Sequence, residues 1–302
     1  YMPWSDPANR RRRMRITASF AAVALAALLP ILASTDAAAE GTLEKIARTG
    51  EFVIGYRTDS LPLSFRNGQG RPAGYSVDLC RRIGEGVQQH LADEDITVKF
   101  VPVSSDERIA AVVDGEIDIE CGSTTITLSR QELVDFSLPT FVTGGSVASL
   151  KESGIQNTSD LAGKRIAVAK GTTTEQQLRT YLAENAIDAE IVVVGDRTEG
   201  WARMNQDNVD AMASDQIVLI GLIMSSPDPT RYWLASEIFS YEPYAFVVRR
   251  DDADFRLVVN RAIAEVYRSG DHADIYYNWI GKAGIEVPPV ISVMYQLGAL
   301  PE

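Results

Sequence analysis

The chain has 302 residues, which at about 150 residues per domain leaves room for two domains. Its hydrophobic content of 45% and charged content of 23% are ordinary for a globular protein and exclude a disordered chain and a multi-span membrane protein. The net charge of −12 argues against nucleic-acid binding, because the phosphate backbone would repel the protein. Two cysteines and two histidines leave little material for a metal site or for histidine catalysis.

The N-terminus predicts a secretory signal. Five arginines between residues 10 and 15 precede an apolar run over 16–32, and small residues follow up to Ala39. This order is typical of a signal peptide. A membrane anchor is the alternative, but the run is short for a span and Pro30 interrupts it. We therefore expect residues 1–39 to be cleaved on export, leaving a soluble exported protein with 24 basic and 39 acidic side chains, a net charge of −15.

The rest of the chain alternates short apolar runs with helical patterns, which predicts an α/β fold. The first run comprises strands at 51–55, 97–101 and 117–119, a helix from Ser76 to about Gly86, and a helix that the capping box Ser104-x-x-Glu107 opens and Gly115 ends. The second run, from about residue 150, comprises strands at 165–169, 190–194 and 209–213 and a helix after the capping box Thr172-x-x-Glu175.

The chain then resumes with a strand at 244–248 and helices at 254–268 and 271–280, and the tail from Pro288 shows no periodicity. Two stretches rich in Pro, Gly and small polar residues, 138–146 and 239–244, connect the two runs. A chain that leaves one lobe, builds a second and returns forms a hinge, with a cleft between the lobes.

Polar residues at the ends of the predicted strands are the candidate ligand groups, because open α/β sheets bind ligands at those ends. In the second lobe, the candidate ligand groups are threonines 172–174 and Asp215. A capped helix start at 172–174 could hold a carboxylate, although a well-capped helix with no ligand is the simpler interpretation. Asp215 could hold an ammonium group or merely cap the following run 217–224. The first-lobe candidates are Arg57, Ser105, Arg108, Ser123, Thr125 and Arg130.

Enzyme signatures are scarce in this sequence. It contains no P-loop, no G-x-S-x-G and no H-E-x-x-H motif. The carboxylates form no distinctive catalytic pair, and we expect neither a cofactor nor a metal ion.

The sequence resembles the periplasmic amino-acid-binding proteins of ABC importers, most closely their glutamate/aspartate-binding branch. The resemblance runs from about Thr42 to Pro288, and its most specific stretches are 74–78 (GYSVD), 119–125 (IECGSTT) followed by Arg130, and 171–175 (GTTTE). It implies a two-lobed periplasmic-binding-protein fold of type II, with two crossing strands around a ligand cleft. The implied lobes are residues 40–141 with 243–302, and residues 142–242.

The resemblance also implies a place for each part of a bound amino acid. Arg130, Ser123 and the helix start at Thr172, Thr173 and Thr174 would hold the α-carboxylate. Asp215, helped by Thr125, would hold the α-ammonium. Arg57, Ser105, Arg108 and Arg197 would form the side-chain pocket, and the arginine at position 57, where binders of basic amino acids carry a carboxylate, points to an acidic side chain.

Arg197 departs from the family pattern, which has histidine at that position in glutamate/aspartate binders. The longer arginine would keep the positive charge and narrow the pocket. Which of glutamate and aspartate the site prefers therefore stays open. A solvent-facing Arg197 is the alternative.

Cys80 and Cys121 could form one disulfide, because an exported protein meets an oxidising compartment. Two buried thiols are the alternative.

The sequence thus favours a monomeric, non-enzymatic carrier that captures glutamate or aspartate and delivers it to the permease of an ABC importer in the inner membrane. An exported dehydratase on the same fold is the second hypothesis, and it would need a general acid in the cleft. A ligand-sensing receptor module is the third, although such modules are usually fused to a membrane span or a kinase domain.

Overall fold

A computed structural model describes residues 40–302, and the predicted signal segment 1–39 lies outside the described residues. The strands are β1 Glu51–Tyr56, β2 Asp59–Ser60, β3 Ser64–Arg66, β4 Pro72–Ala73, β5 Thr97–Pro102, β6 Ile119–Glu120, β7 Val134–Thr143, β8 Gly145–Leu150, β9 Arg165–Ala169, β10 Glu190–Val194, β11 Ala211–Asp215, β12 Tyr232–Leu234 and β13 Glu242–Arg249. The helices are α1 Thr42–Thr49, α2 Tyr75–Leu91, α3 Arg108–Val113, α4 Leu128–Gln131, α5 Thr173–Glu184, α6 Arg197–Asn205, α7 Gln216–Ser225, α8 Ala253–Ser269, α9 Asp271–Trp279 and α10 Pro289–Gly298.

Two five-stranded sheets define two lobes. The first-lobe sheet has the order β5-β1-β6-β13-β7, and the second-lobe sheet has the order β10-β9-β11-β8-β12. In each sheet the second strand, β1 or β9, lies between two parallel neighbours. Ligand groups gather beyond the carboxyl ends of such strands. The two-lobed α/β architecture expected from the sequence is the one observed.

Strands β7 and β13 carry the chain between the lobes, side by side. They pair antiparallel from Glu242 opposite Thr143 to Arg249 opposite Val134, with register shifts after Tyr244. β7 leads through Gly144 directly into β8 of the second sheet. The segments expected to cross between the lobes therefore do so as a two-stranded ribbon.

The second-lobe sheet is buried on both faces. Ile166 and Val168 of β9 belong to one apolar cluster with Leu178 of α5, while Ala167 belongs to another with Met212 of β11. Strands covered by helices on both sides are typically apolar, as β9 is here after its first residue, Arg165.

Helix α7 packs into both lobes. Its Ile217 and Val218 join the large first-lobe cluster around Phe52 and Phe255, whereas Leu219 joins a second-lobe cluster. The uncharged run of α7 is buried at Ile217, Val218, Leu219 and Gly221, whereas Met224 near its end is exposed.

Three details differ from the sequence-based predictions or settle between alternatives. The tail is not aperiodic: α10 buries Ile291, Met294 and Tyr295 at i, i+3 and i+4 spacing. The helix expected from Ser104 begins only at Arg108, after a turn. Cys80 and Cys121 form a disulfide with a Cα–Cα distance of 6.3 Å, so the alternative of two free thiols is wrong. Across residues 40–302, every helix is too short or too polar to cross a bilayer.

Candidate ligand-binding cleft

The candidate residues lie where the parallel strands of the two sheets end. In the first lobe, Arg57 follows β1, Ser105 and Arg108 follow β5, and Ser123 and Thr125 follow β6. In the second lobe, the threonines follow β9, Arg197 follows β10 and Asp215 ends β11. Hydrogen bonds join the two sets across the cleft, so the two sets face each other.

The lobes are in contact on one rim of the cleft. Ser105 Oγ donates to the backbone carbonyl of Lys170 at 2.7 Å. Lys170 Nζ donates to Asp106 Oδ2 at 2.7 Å, and a Cβ on Gly171 would lie 2.8 Å from Cα of Asp106. The structure is therefore that of a closed cleft.

Two first-lobe arginines carry buried donors with no hydrogen-bond partner. Arg57 is 1% exposed and Arg108 is 2% exposed, and in each the Nε and Nη1 atoms lack an acceptor. Burial lowers the pKa of Arg57 and of Arg108 to about 10 in each case. Orphaned donors of this kind are costly unless an acceptor joins them, and a carboxylate is the acceptor that matches a guanidinium best.

Arg57 already has an anionic partner within the protein. Its Nη2 donates to Asp59 Oδ1 at 2.7 Å, and both side chains are almost fully buried. Asp59 is part of the stretch that follows β1, but the sequence does not reveal that its side chain turns inward. Arg57 thus keeps only Nε and Nη1 for another acceptor.

Arg130 lies in α4 and is partly buried. Its Nη1 donates to the backbone carbonyl of Thr125 at 2.8 Å, and its backbone N–H donates to the side chain of Thr127, the N-cap of α4. Burial lowers the pKa of Arg130 from its ordinary value. Ser123 Oγ lies 3.3 Å from Ser60 Oγ and donates to it. The guanidinium of Arg130 and the hydroxyl of Ser123 are both groups that suit a carboxylate.

In the second lobe, the threonines divide their roles. Thr172 is the N-cap of α5, and its hydroxyl accepts from the backbone N–H of Glu175 at 3.1 Å, as the capping interpretation requires. Thr174 Oγ1 donates to Asp215 Oδ1 at 3.1 Å. Thr173 Oγ1 donates instead to Glu242 Oε2 at 2.7 Å.

Asp215 precedes α7 without capping it. Its side chain makes no hydrogen bond to the first turn of α7, which removes the simpler interpretation of this residue. It accepts from Thr174 and, through Oδ2 at 2.9 Å, from Arg197 Nη2. A buried carboxylate at this position can also hold an ammonium group.

Arg197 is buried, 2% exposed, so the alternative of a solvent-facing arginine is wrong. Its Nε donates to Ser214 Oγ and its Nη1 to Ser60 Oγ, both at 3.0 Å. Burial alone would lower the pKa of Arg197, but the carboxylates of Asp59 and Asp215 outweigh it and raise the pKa above its ordinary value.

Four carboxylates match the four arginines of the cleft, Arg57, Arg108, Arg130 and Arg197. Asp215 is one of them, and sequence reasoning missed the other three. These are Asp59, Glu120 and Glu242, each 4% exposed or less. Glu120 accepts from Thr124 Oγ1 at 2.7 Å through one oxygen, while its Oε1 has no partner. Glu120 and Glu242 both lie in stretches that the sequence had marked, but nothing in the pattern shows that they are buried.

The chain matches the family model described as bacterial extracellular solute-binding proteins, family 3, over residues 52–282. It is 34% identical over 280 residues to the L-glutamate/L-aspartate-binding protein of Pseudomonas aeruginosa, covering 91% of each chain. It is 31% identical to the glutamate/aspartate import solute-binding protein of Escherichia coli K12, covering 85% of each chain.

A solved structure shows the same fold. The ancestral amino acid-binding protein AncCDT-1, described as a precursor of cyclohexadienyl dehydratase, superimposes with a TM-score of 0.69 at 26% identity, over 79% of this chain and 99% of that one. The match of the family model over most of the chain, together with the two-lobed α/β architecture, makes the chain a member of family 3 of the bacterial extracellular solute-binding proteins.

Proposed function

We propose that this chain captures glutamate or aspartate and delivers it to an ABC importer. The observation that carries the proposal is the set of buried, unpartnered Nε and Nη1 atoms of Arg57 and Arg108. A ligand side-chain carboxylate would supply the oxygens that these donors lack. The names of the relatives from Pseudomonas aeruginosa and Escherichia coli support the same ligand class.

In this proposal the rest of the amino acid lies between the two lobes. Arg130, Ser123 and the start of α5 at Thr172–Thr174 hold the α-carboxylate. Asp215 and Thr125 hold the α-ammonium. Ser105 and Arg197 complete the side-chain pocket around Arg57 and Arg108. Arg197 would act there through its position beside Asp215 and Ser60, because its nitrogens already donate to protein oxygens.

We also propose the organisation that such a carrier needs. Residues 40–141 and 243–302 would form one lobe and residues 142–242 the other, in keeping with the sheet that each range contains. Residues 1–39 would direct export to the periplasm and be removed. The carrier would act as a monomer, which light scattering after size-exclusion chromatography can test.

Titration calorimetry with glutamate, aspartate, glutamine, asparagine and lysine tests the ligand class. Glutamine has nearly the shape of glutamate, but its NH₂ would face guanidinium donors that cannot accept a hydrogen bond. This mismatch should cost at least ~2 kcal/mol, or about 30-fold in affinity. Glutamine binding as tightly as glutamate, or lysine binding best of all, would contradict the proposal.

We propose a carrier rather than an enzyme. The relatives named above are binding proteins, whereas the dehydratase link comes from one ancestral structural neighbour. Bound glutamate should therefore be recovered unchanged after long incubation with the protein. Turnover of a cyclic dienyl acid would instead support the dehydratase hypothesis.

A further inference from the structure

One buried carboxylate is hydrogen-bonded by hydroxyls from both lobes and from the hinge. Glu242, the first residue of β13, is 1% exposed. Its Oε2 accepts from Thr125 Oγ1 at 2.5 Å and from Thr173 Oγ1 at 2.7 Å. Its Oε1 accepts from Ser240 Oγ at 2.7 Å. The Thr125 and Thr173 hydroxyl oxygens are themselves only 3.1 Å apart.

These partners come from parts of the fold that must move relative to one another. Thr125 follows β6 in the first lobe, Thr173 begins α5 in the second, and Ser240 belongs to the returning crossover. Glu242 pairs with Thr143 at the point where the two crossing strands run side by side. When the lobes separate, Thr125 and Thr173 move apart, and one oxygen atom can no longer accept from both.

We propose that Glu242 is a positioning residue that latches the closed cleft, accepting one hydroxyl from each lobe only in that form. The inference rests on the proposed function in one respect, namely that the protein closes on an amino acid. It does not depend on which amino acid is bound. The latch consists of Glu242 and the hydroxyls of Thr125 and Thr173, and none of these belongs to the proposed side-chain pocket.

Charges around Glu242 link the latch to the ligand. Asp215 faces it from the end of β11, Arg130 from α4, and the Tyr244 hydroxyl from β13 itself. Burial, with the negative charge of Asp215 adding to it, raises the pKa of Glu242 above its ordinary value despite three hydroxyl donors. A ligand ammonium placed at Asp215 would offset that repulsion and favour the ionised Glu242, which is the stronger acceptor.

The sign of the pH dependence follows from this linkage. Ligand binding should lower the pKa of Glu242, so that binding releases a proton at a pH between the two values. Affinity should be highest at a pH where Glu242 is ionised in the closed form, and should fall as the pH drops through the raised pKa that Glu242 has there before the ligand ammonium is added. A variant with no ionisable group at position 242 should lack this pH dependence of the affinity.

The test compares four proteins: the wild type, Glu242→Gln, Thr173→Val and Thr173→Ser. Amino-acid affinity and dissociation rate are measured at several pH values between 5 and 8. Glu242→Gln and Thr173→Val should each weaken binding by about tenfold, mainly through faster dissociation, because hydrogen bonds to a charged group are lost in the closed form. Thr173→Ser, which keeps the hydroxyl, should lose much less affinity than Thr173→Val, and Glu242→Gln should flatten the pH profile.

A wild-type affinity and pH profile in Glu242→Gln would overturn the latch, as would equal damage from Thr173→Ser and Thr173→Val. The ligand is chosen by a thermal-shift screen of the wild type against the twenty amino acids. If only a non-acidic amino acid binds, the proposed ligand class fails and the latch is judged with that amino acid. If none binds, the latch fails together with the proposed function.

Discussion

The backbone N–H of Arg197 in the second lobe donates to Asp59 Oδ2 in the first lobe at 3.0 Å, and Arg197 Nη1 lies 3.9 Å from Asp59 Oδ1. Both side chains are 2% exposed, and the two residues are 138 positions apart in the chain. Asp59 also accepts from Arg57 Nη2. One carboxylate thus neutralises an arginine of each lobe and joins the two sides of the cleft.

Replacing Asp59 by alanine should destabilise the protein strongly. Breaking a buried ion pair by removing one partner typically costs roughly 3–5 kcal/mol, because the other charge stays buried and uncompensated. Asp59→Asn keeps an oxygen acceptor and should lose less stability than Asp59→Ala. The free energy of unfolding in urea measures both effects, and Asp188→Ala, at an exposed aspartate, is the control. A stability of Asp59→Ala equal to that of the control would contradict the role of the pair.

The same pair predicts a pH dependence of stability. Burial would raise the pKa of Asp59, but Arg57 and Arg197 outweigh it and hold the pKa below its ordinary value. The unfolded chain then binds more protons than the folded one in acid, so the contribution is complete above the ordinary aspartate pKa of about 3.9. It is lost as the pH falls through the lower, folded pKa. The stability of Asp59→Asn should therefore decline less between pH 5 and pH 2 than that of the wild type.

Much of the scaffold is predictable from local pattern. The strand-end residues Arg57, Thr172 and Asp215 could be placed at the cleft because strand and helix periodicities locate the carboxyl ends of parallel strands. The same logic could have found α10, whose buried residues have helical spacing; the two prolines at its start and its uncharged sequence obscured the pattern.

The charge balance of the cleft is not predictable in the same way. Asp59, Glu120 and Glu242 are three of many carboxylates in an acidic chain, and no local pattern separates a buried one from a solvated one. Their partners are set by tertiary structure: Glu242 meets Thr125, which is 117 positions away in the chain. A count of arginines without these carboxylates therefore overstates the positive charge of the site.

A small residue at position 221 permits the lobes to meet. A Cβ on Gly221 of α7 would lie 2.7 Å from the carbonyl carbon and oxygen of Leu61 in the first lobe. Gly221→Ala should hinder closure and weaken amino-acid binding, although alanine favours the helix by about 1 kcal/mol and should not lower the melting temperature of the open form. Calorimetry measures the affinity, and thermal melting measures the stability. Gly68→Ala, where a Cβ meets nothing within 4 Å, is the control, and unchanged affinity in Gly221→Ala would contradict the close approach.

The Cys80–Cys121 disulfide should contribute substantially to stability. It joins α2 to the residue after β6, across a sequence separation of 41. Closing a loop of this length lowers the entropy of the unfolded chain by an amount worth roughly 4 kcal/mol. The double variant Cys80→Ser/Cys121→Ser should melt at a lower temperature, and a reducing agent should lower the melting temperature of the wild type but not of the variant. Equal melting of oxidised and reduced wild type would show that the bond adds nothing.

Arg130→Ala should abolish amino-acid binding and leave the fold intact. The side chain is only partly buried and makes one hydrogen bond to the protein, from Nη1 to the Thr125 carbonyl, so its loss should barely change the melting temperature. In the proposed complex it faces the ligand α-carboxylate, and truncating one partner of a buried charge pair costs ~2–5 kcal/mol. That is roughly 30- to 5000-fold in affinity. Arg130→Lys keeps the charge but loses the planar fork of donors, so its affinity should lie between that of the wild type and that of Arg130→Ala.

Calorimetry with glutamate measures this loss directly, and Arg179→Ala is the matched control. Arg179 is an exposed arginine of α5 whose Nη2 lies 3.1 Å from Glu175 Oε1, so its removal takes away a surface ion pair and no ligand contact. Such pairs are worth at most about 1 kcal/mol, and the control should bind as the wild type does. Wild-type affinity in Arg130→Ala would mean that the α-carboxylate lies elsewhere in the cleft. Equal losses in both variants would mean that affinity follows the overall positive charge of the protein and not this contact.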